Sequence, residues 1–149
     1  MIKNALKVVA AVAALGVAGC GGGDSNKTLS YSDFSKQAND ICKSADAKAA
    51  GVKLSGEAGH DAALFDKLIP AVQSARGEFA KLKPPDQLKP DFDTFLSVSD
   101  QQLTNARKAQ AAAKAGDQAG YIAELKATQP LQKESRLAGS RLGAPNCAS

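Results

Sequence analysis

Apolar residues that recur every three or four positions, with no stretch of strand-like alternation, restrict this chain to helices. Phe65, Leu68, Val72, Ala75, Phe79 and Leu82 follow that spacing strictly and would line one helical face. Phe34, Ala38, Ile41, Ala45 and Ala49 form an earlier stripe, and Phe92, Phe95, Leu96, Leu103 and Ala106 a later one. A fourth set, Tyr121, Ile122, Leu125, Leu131, Leu137, Ala138 and Leu142, has the weakest periodicity. Nowhere do Val, Ile and Thr alternate with polar residues as a half-buried strand requires.

Breakers and caps mark the ends of these segments. Ser30 followed by Asp33 resembles a capping signal for the first helix, and the glycines at 51, 56 and 59 end it. The second helix is expected to start near Asp61 and to stop at Pro84-Pro85. The third opens around Asp86, with Pro90 tolerable in a first turn, and ends at Gly116. Asp117 caps the fourth, which Gly143 and Pro145 terminate. Pro70 and Pro130 fall inside the second and fourth patterns, where a missing amide hydrogen should kink or divide the helix. Short connections between four amphipathic segments favour an all-α, antiparallel up-down-up-down four-helix bundle, kinked near Pro70 and Pro130.

The N-terminus has a different character. Lys3 and Lys7 precede an uncharged apolar run, Val8 to Val17, which ends in Val17-Ala18-Gly19-Cys20 and three glycines. This pattern resembles the lipobox of bacterial lipoproteins: a branched apolar residue, two small residues and a cysteine. A transmembrane helix needs about 20 apolar residues, and this run is shorter and ends in glycine. The resemblance implies cleavage between Gly19 and Cys20, a diacylglyceryl group on the Cys20 sulfur, and anchoring at the outer, extracytoplasmic face of the cell membrane. Residues 1–19 are then the signal peptide, 20–29 the lipidated cysteine and a flexible tether, and 30–149 the helical domain. The body is similar, more loosely, to short helical bacterial lipoproteins in Ala38-Asn39-Asp40-Ile41-Cys42 and in Leu142-Gly143 followed by Cys147. No activity comes with that resemblance.

Lipidation changes two sums. Of three cysteines it removes Cys20, leaving Cys42 and Cys147 able to form one disulfide in an oxidising compartment. A free thiol pair or a metal site are the alternatives, and no Cys-x-x-Cys or Cys/His cluster supports the latter. Charge falls as well, because Lys3 and Lys7 leave with the signal. The formal +4 becomes +2, with 17 basic against 15 acidic residues. Those bases are interleaved with acids, and two tyrosines without tryptophan provide few stacking surfaces, which argues against a nucleic-acid partner.

Residues able to do chemistry are scarce. His60 is the single histidine, so any Ser-His-Asp or Cys-His set has one possible base. Glu57-Ala58-Gly59-His60 has the Glu-x-x-His spacing of di-iron bundles, but those need a second such motif, and this chain has four glutamates in all. Its flanking glycines suggest a loop, with His60 exposed near a helix start. Met1 is the only methionine, which removes a Met/His haem pair. Asp91 and Asp93 are two apart and do not share a helical face, so they suit a solvated helix start better than paired acid–base work. No phosphate loop, nucleophile elbow or calcium loop is present in the sequence.

These residues lead to an expectation of a membrane-anchored, non-enzymatic interaction or binding module with no cofactor and no catalytic or metal-binding set. Its partner would be an envelope or extracellular protein. A carrier of a small apolar ligand or lipid between the kinked helices is the alternative, and a hydrolase or metalloprotein using His60 the remote one. In an up-down-up-down order the Gly51–Asp61 loop and the Gly116-Asp117 turn would face away from the membrane.

Overall fold

The computed structural model describes residues 27–148, which form an all-helical domain. The expected signal peptide, Gly19–Cys20 cleavage site, lipidation at Cys20 and most of the expected tether lie outside the described residues. Five helices follow in order: α1 (Tyr31–Lys48), α2 (Ala58–Asp61), α3 (Phe65–Phe79), α4 (Lys89–Lys114) and α5 (Gln118–Arg141). Single 3-10 turns at Asp86–Leu88 and Pro145–Cys147 complete the path. Among the described residues, no helix is long and apolar enough to cross a membrane.

The caps follow the sequence closely. Ser30 Oγ accepts the amide of Asp33 at 3.1 Å and donates to its carboxylate at 2.6 Å, so α1 starts with a reciprocal cap. Asp117 accepts the amide of Gly120 at 2.9 Å and starts α5. Pro90 stands in the first turn of α4, where its missing N–H costs nothing. Pro70 and Pro130 lie inside α3 and α5, and neither divides its helix.

α4 and α5 form an antiparallel hairpin around the Gly116-Asp117 turn, with Arg141 at the end of α5 reaching Asp91 at the start of α4, 3.4 Å away. α3 packs on α4, and α1 packs across α3. Burial is divided between two clusters, one at each end of the hairpin. The first joins Phe34, Ala38, Phe79, Leu82, Leu88, Phe92, Phe95, Ala138, Leu142 and Ala144. Four of the chain's five phenylalanines meet there, with the Phe79 ring 4.6 Å from Phe95 and 5.9 Å from Phe92 between centroids. The second joins Ala58, Phe65, Ala109, Ala113 and Tyr121. Because α4 is 26 residues long, it spans both.

This division explains how the apolar stripes are used. Phe65 and Phe79, at the ends of the α3 stripe, are buried in different clusters, while Leu68, Val72 and Ala75 between them are only half-buried. In α5 the weak periodicity has a counterpart: Tyr121, Ala138 and Leu142 are buried, but Leu137, expected on the inner face, is 51% exposed. Residues 61–64 also differ from expectation. The second helix does not run from Asp61, because a turn separates one-turn α2 from α3.

Cys42 and Cys147 form a disulfide with their Cα atoms 5.2 Å apart. Gly143, at φ +69°, turns the chain out of α5 in a conformation that favours glycine. Its carbonyl accepts hydrogen bonds from the Ser35 hydroxyl and, at 3.2 Å, from the Asn39 amide. Asn39 Oδ1 accepts the amide of Asn146 at 3.0 Å. The tail therefore runs back along α1, and it presses so closely on Gly139 that a Cβ there would lie 3.0 Å from the Cys147 carbonyl. Replacing both Cys42 and Cys147 by serine reopens a loop with a sequence separation of 105. Urea unfolding should find that variant about 2–5 kcal/mol less stable than the parent.

Candidate functional site

Two places combine enclosure with chemistry: a buried polar network at one end of the hairpin, and an apolar cleft at its waist. The network is built by the connection from α1 to α3. Gly51 and Gly56, at φ +84° and +90°, turn this segment back on itself, and α2 delivers Asp61 into the interior with 0% exposure. Its carboxylate accepts the amides of Ser55 at 3.0 Å and Gly56 at 2.9 Å, and the Ser55 hydroxyl at 2.9 Å. Tyr121, in the first turn of α5 and also fully buried, donates its phenol hydroxyl at 2.6 Å. The tyrosine ring stands edge-on to Phe65, centroids 6.2 Å apart. Gln118 adds a second clasp: its Oε1 accepts the Ala58 amide at 2.8 Å, and its Nε2 donates to the Gly56 carbonyl at 2.7 Å.

The electrostatics follow from this geometry. Burial alone would push the Asp61 carboxyl up, because it penalises the charged form. The hydrogen bonds from the Ser55 amide, the Tyr121 hydroxyl, His60 and the Gly56 amide outweigh burial and hold Asp61 well below its ordinary value of 3.8. Burial, reinforced by the bond to Asp61, pushes the Tyr121 phenol well above its usual range. The pair is therefore a buried carboxylate held by a neutral phenol.

Ser55, His60 and Asp61 are the residue types of a hydrolytic triad, but they meet in the wrong order. A triad needs the carboxylate on one imidazole nitrogen and the serine on the other. Here Ser55 Oγ (3.4 Å) and Asp61 Oδ1 (3.1 Å) both face His60 Nδ1. The Ser55 hydroxyl donates its hydrogen bond to Asp61, so the imidazole does not stand between serine and carboxylate. His60 is 70% exposed at its side chain, as expected, although its segment forms one helical turn where a loop was expected. Among the described residues, no three His, Cys, Asp or Glu side chains group as a metal ion would require. Asp91 pairs with Arg141, Asp93 is exposed, and Asp117 is a cap.

The waist cleft lies between α3, α4 and α5. Leu68, Ile69, Val72, Leu103 and Ala106 line it, with Gln102, Thr128 and Gln132 beside them, around a volume of about 170 Å³. The broader trough along the outer side of α3 and α4 is polar and open, and Arg76 spans it with two 2.7 Å hydrogen bonds to Asp100.

Asp61 enters the sequence reading only as a helix start, and Tyr121 only as part of an apolar stripe. One signal joined them in principle: a tyrosine on a buried face needs a partner for its hydroxyl. Nothing local says that the partner is 60 residues away. No known protein family, curated protein or solved structure matches the chain.

Tyr121→Phe removes one of the donors to a buried charge, and chemical denaturation should show a loss of about 1–3 kcal/mol. The pH dependence has a definite sign. Since the carboxyl of Asp61 is more acidic folded than unfolded, its contribution is complete above 3.8 and is lost as pH falls from there toward the folded value. Asp61→Asn should be less stable at neutral pH and should flatten the acid limb of a stability–pH profile; an unchanged limb would contradict this assignment.

Proposed function

We propose that this chain is an exported lipoprotein, held at the outer face of the cell membrane through acylated Cys20, and that it acts as a non-enzymatic interaction module for an envelope or extracellular protein. The lipobox-like Val17-Ala18-Gly19-Cys20 supports the anchor. The presenting body would be four long helices in antiparallel up-down-up-down order, kinked near Pro70 and Pro130.

The observation that carries the reading is the division of the domain into two fastened ends. At one end the chain enters beside Lys83, whose carbonyl accepts the Leu29 amide at 2.9 Å, and the disulfide-bonded tail lies on α1. A tether leaving this end would keep it nearest the bilayer. At the other end, Asp61 and Gln118 tie the 51–61 segment to the start of α5. Glu57 and His60 stand exposed there at the one-turn helix α2, whose backbone is already hydrogen-bonded in place, which lowers the entropy a partner must overcome.

Intact mass measurement of the membrane fraction should find a diacylglyceryl adduct on Cys20, and an unmodified Cys20 would remove the anchor. Photoreactive residues placed at Glu57 and at Lys83 in living cells separate the two ends. Protein adducts are expected from position 57; adducts confined to position 83 would reverse the proposed orientation.

A further inference from the structure

The waist cleft carries an inference that goes beyond the interaction-module reading and does not need the anchor. We infer that it binds one small neutral molecule, a single ring or short branched chain bearing one hydrogen-bonding group, for which an aromatic alcohol is the simplest case.

Its walls set the chemistry. Leu68, Ile69 and Val72 from α3 face Leu103 and Ala106 from α4, and no ionisable residue lines the space. A charged ligand would lose its hydration there with no counter-charge, which is costly. Neutrality follows. The volume sets the size: about 170 Å³ compares with the roughly 150 Å³ apolar cavity that holds benzene in another protein. Pockets for drug-sized ligands run to roughly 300–1,000 Å³, so the cleft matches a single ring better than a whole lipid acyl chain.

The polar side chains set the third property. Thr128 already donates its hydroxyl to the Glu124 carbonyl at 2.9 Å. Among the described residues, the side-chain amides of Gln102 and Gln132 have no hydrogen-bond partner. Each amide offers both a donor and an acceptor, which matches a hydroxyl or a neutral amide on the ligand.

The fold also accounts for the space. Leu68 and Val72 continue the stripe that Phe65 and Phe79 bury at its two ends, yet they are left half-covered. Apolar surface held back from burial forgoes about 25 cal/mol per Å², and an apolar ligand recovers it. The ends flanking the cleft are fastened separately, α1 to the tail after α5 by the disulfide and the 51–61 segment to α5 through Asp61. Pro70 and Pro130 lie at exposed positions of α3 and α5, outside the lining, where each removes a backbone donor from a helix that borders the cleft.

The test is an amide NMR titration of the full-length chain, with its disulfide closed, using benzyl alcohol and toluene as probes. Benzyl alcohol should shift Val72, Leu103, Ala106 and Thr128 saturably, and bind more tightly than toluene. Ala106→Leu fills the space and should weaken binding about tenfold or more. Gln102→Leu, at a partly exposed position, should weaken the preference for the alcohol even if Ala106→Leu fails to fold. Absence of saturation, or identical binding by parent and Gln102→Leu, would overturn the proposal. So would tighter binding of laurate than of benzyl alcohol at the same amides, which would point to a long-chain carrier.

Discussion

A buried carboxylate can be kept in so small a domain only when everything around it is fixed, and Asp61 imposes that condition on half of this fold. Its hydrogen bonds come from two separate pieces of chain: the turn at Ser55-Gly56 and the first turn of α5. A connection of little apolar content is thereby converted into a lid, under which Leu54 and Ala58 pack against Phe65 and Tyr121. Without the donors, the charge would favour water and the lid would have little reason to stay closed. The glycines that permit the turn and the glutamine clasp from α5 serve the same end.

The opposite end solves a similar problem covalently. α1 lies across α3 and meets the returning tail, and its Phe34 ring reaches Phe92 of α4. Phe34 of α1 and the three phenylalanines beneath it supply the largest apolar cluster, and the Cys42–Cys147 bridge holds helix and tail over them. Gly139 admits the tail, and Gly143 turns it. Both ends are therefore closed by contacts between residues distant in sequence, one through a charge and one through sulfur.

With its ends fixed, the middle has freedom to remain incomplete. The α3–α4–α5 waist has an apolar stripe that nothing in the described chain covers fully. Native cores normally leave few voids larger than a water molecule. A cleft located between two well-packed clusters is thus a consequence of the architecture, and its neutral lining determines what can enter.

Much of this was legible in the residues themselves. Three- and four-residue spacing determined the helices, Ser30 and Asp117 their starts, and Gly116 and Gly143 their ends, because these depend on backbone chemistry within a few positions. Cysteine parity pointed to the pair that is bonded. What local rules left open was how each stripe is shared. Phe65 and Phe79 look equivalent on a helical wheel but enter different clusters, and Leu137 fits the pattern yet faces solvent. His60 drew attention because histidine can do chemistry, whereas its neighbour Asp61 is the residue that the fold encloses. Sequence alone determined the helical class, the helix stops before Gly116 and Gly143, and the cysteine pair. Only the tertiary structure decided that α3 and α5 run unbroken through their prolines, that Asp61 finds Tyr121, and that a cleft remains between them. Each of those outcomes depends on partners brought together from far along the chain, and local spacing carries no record of them.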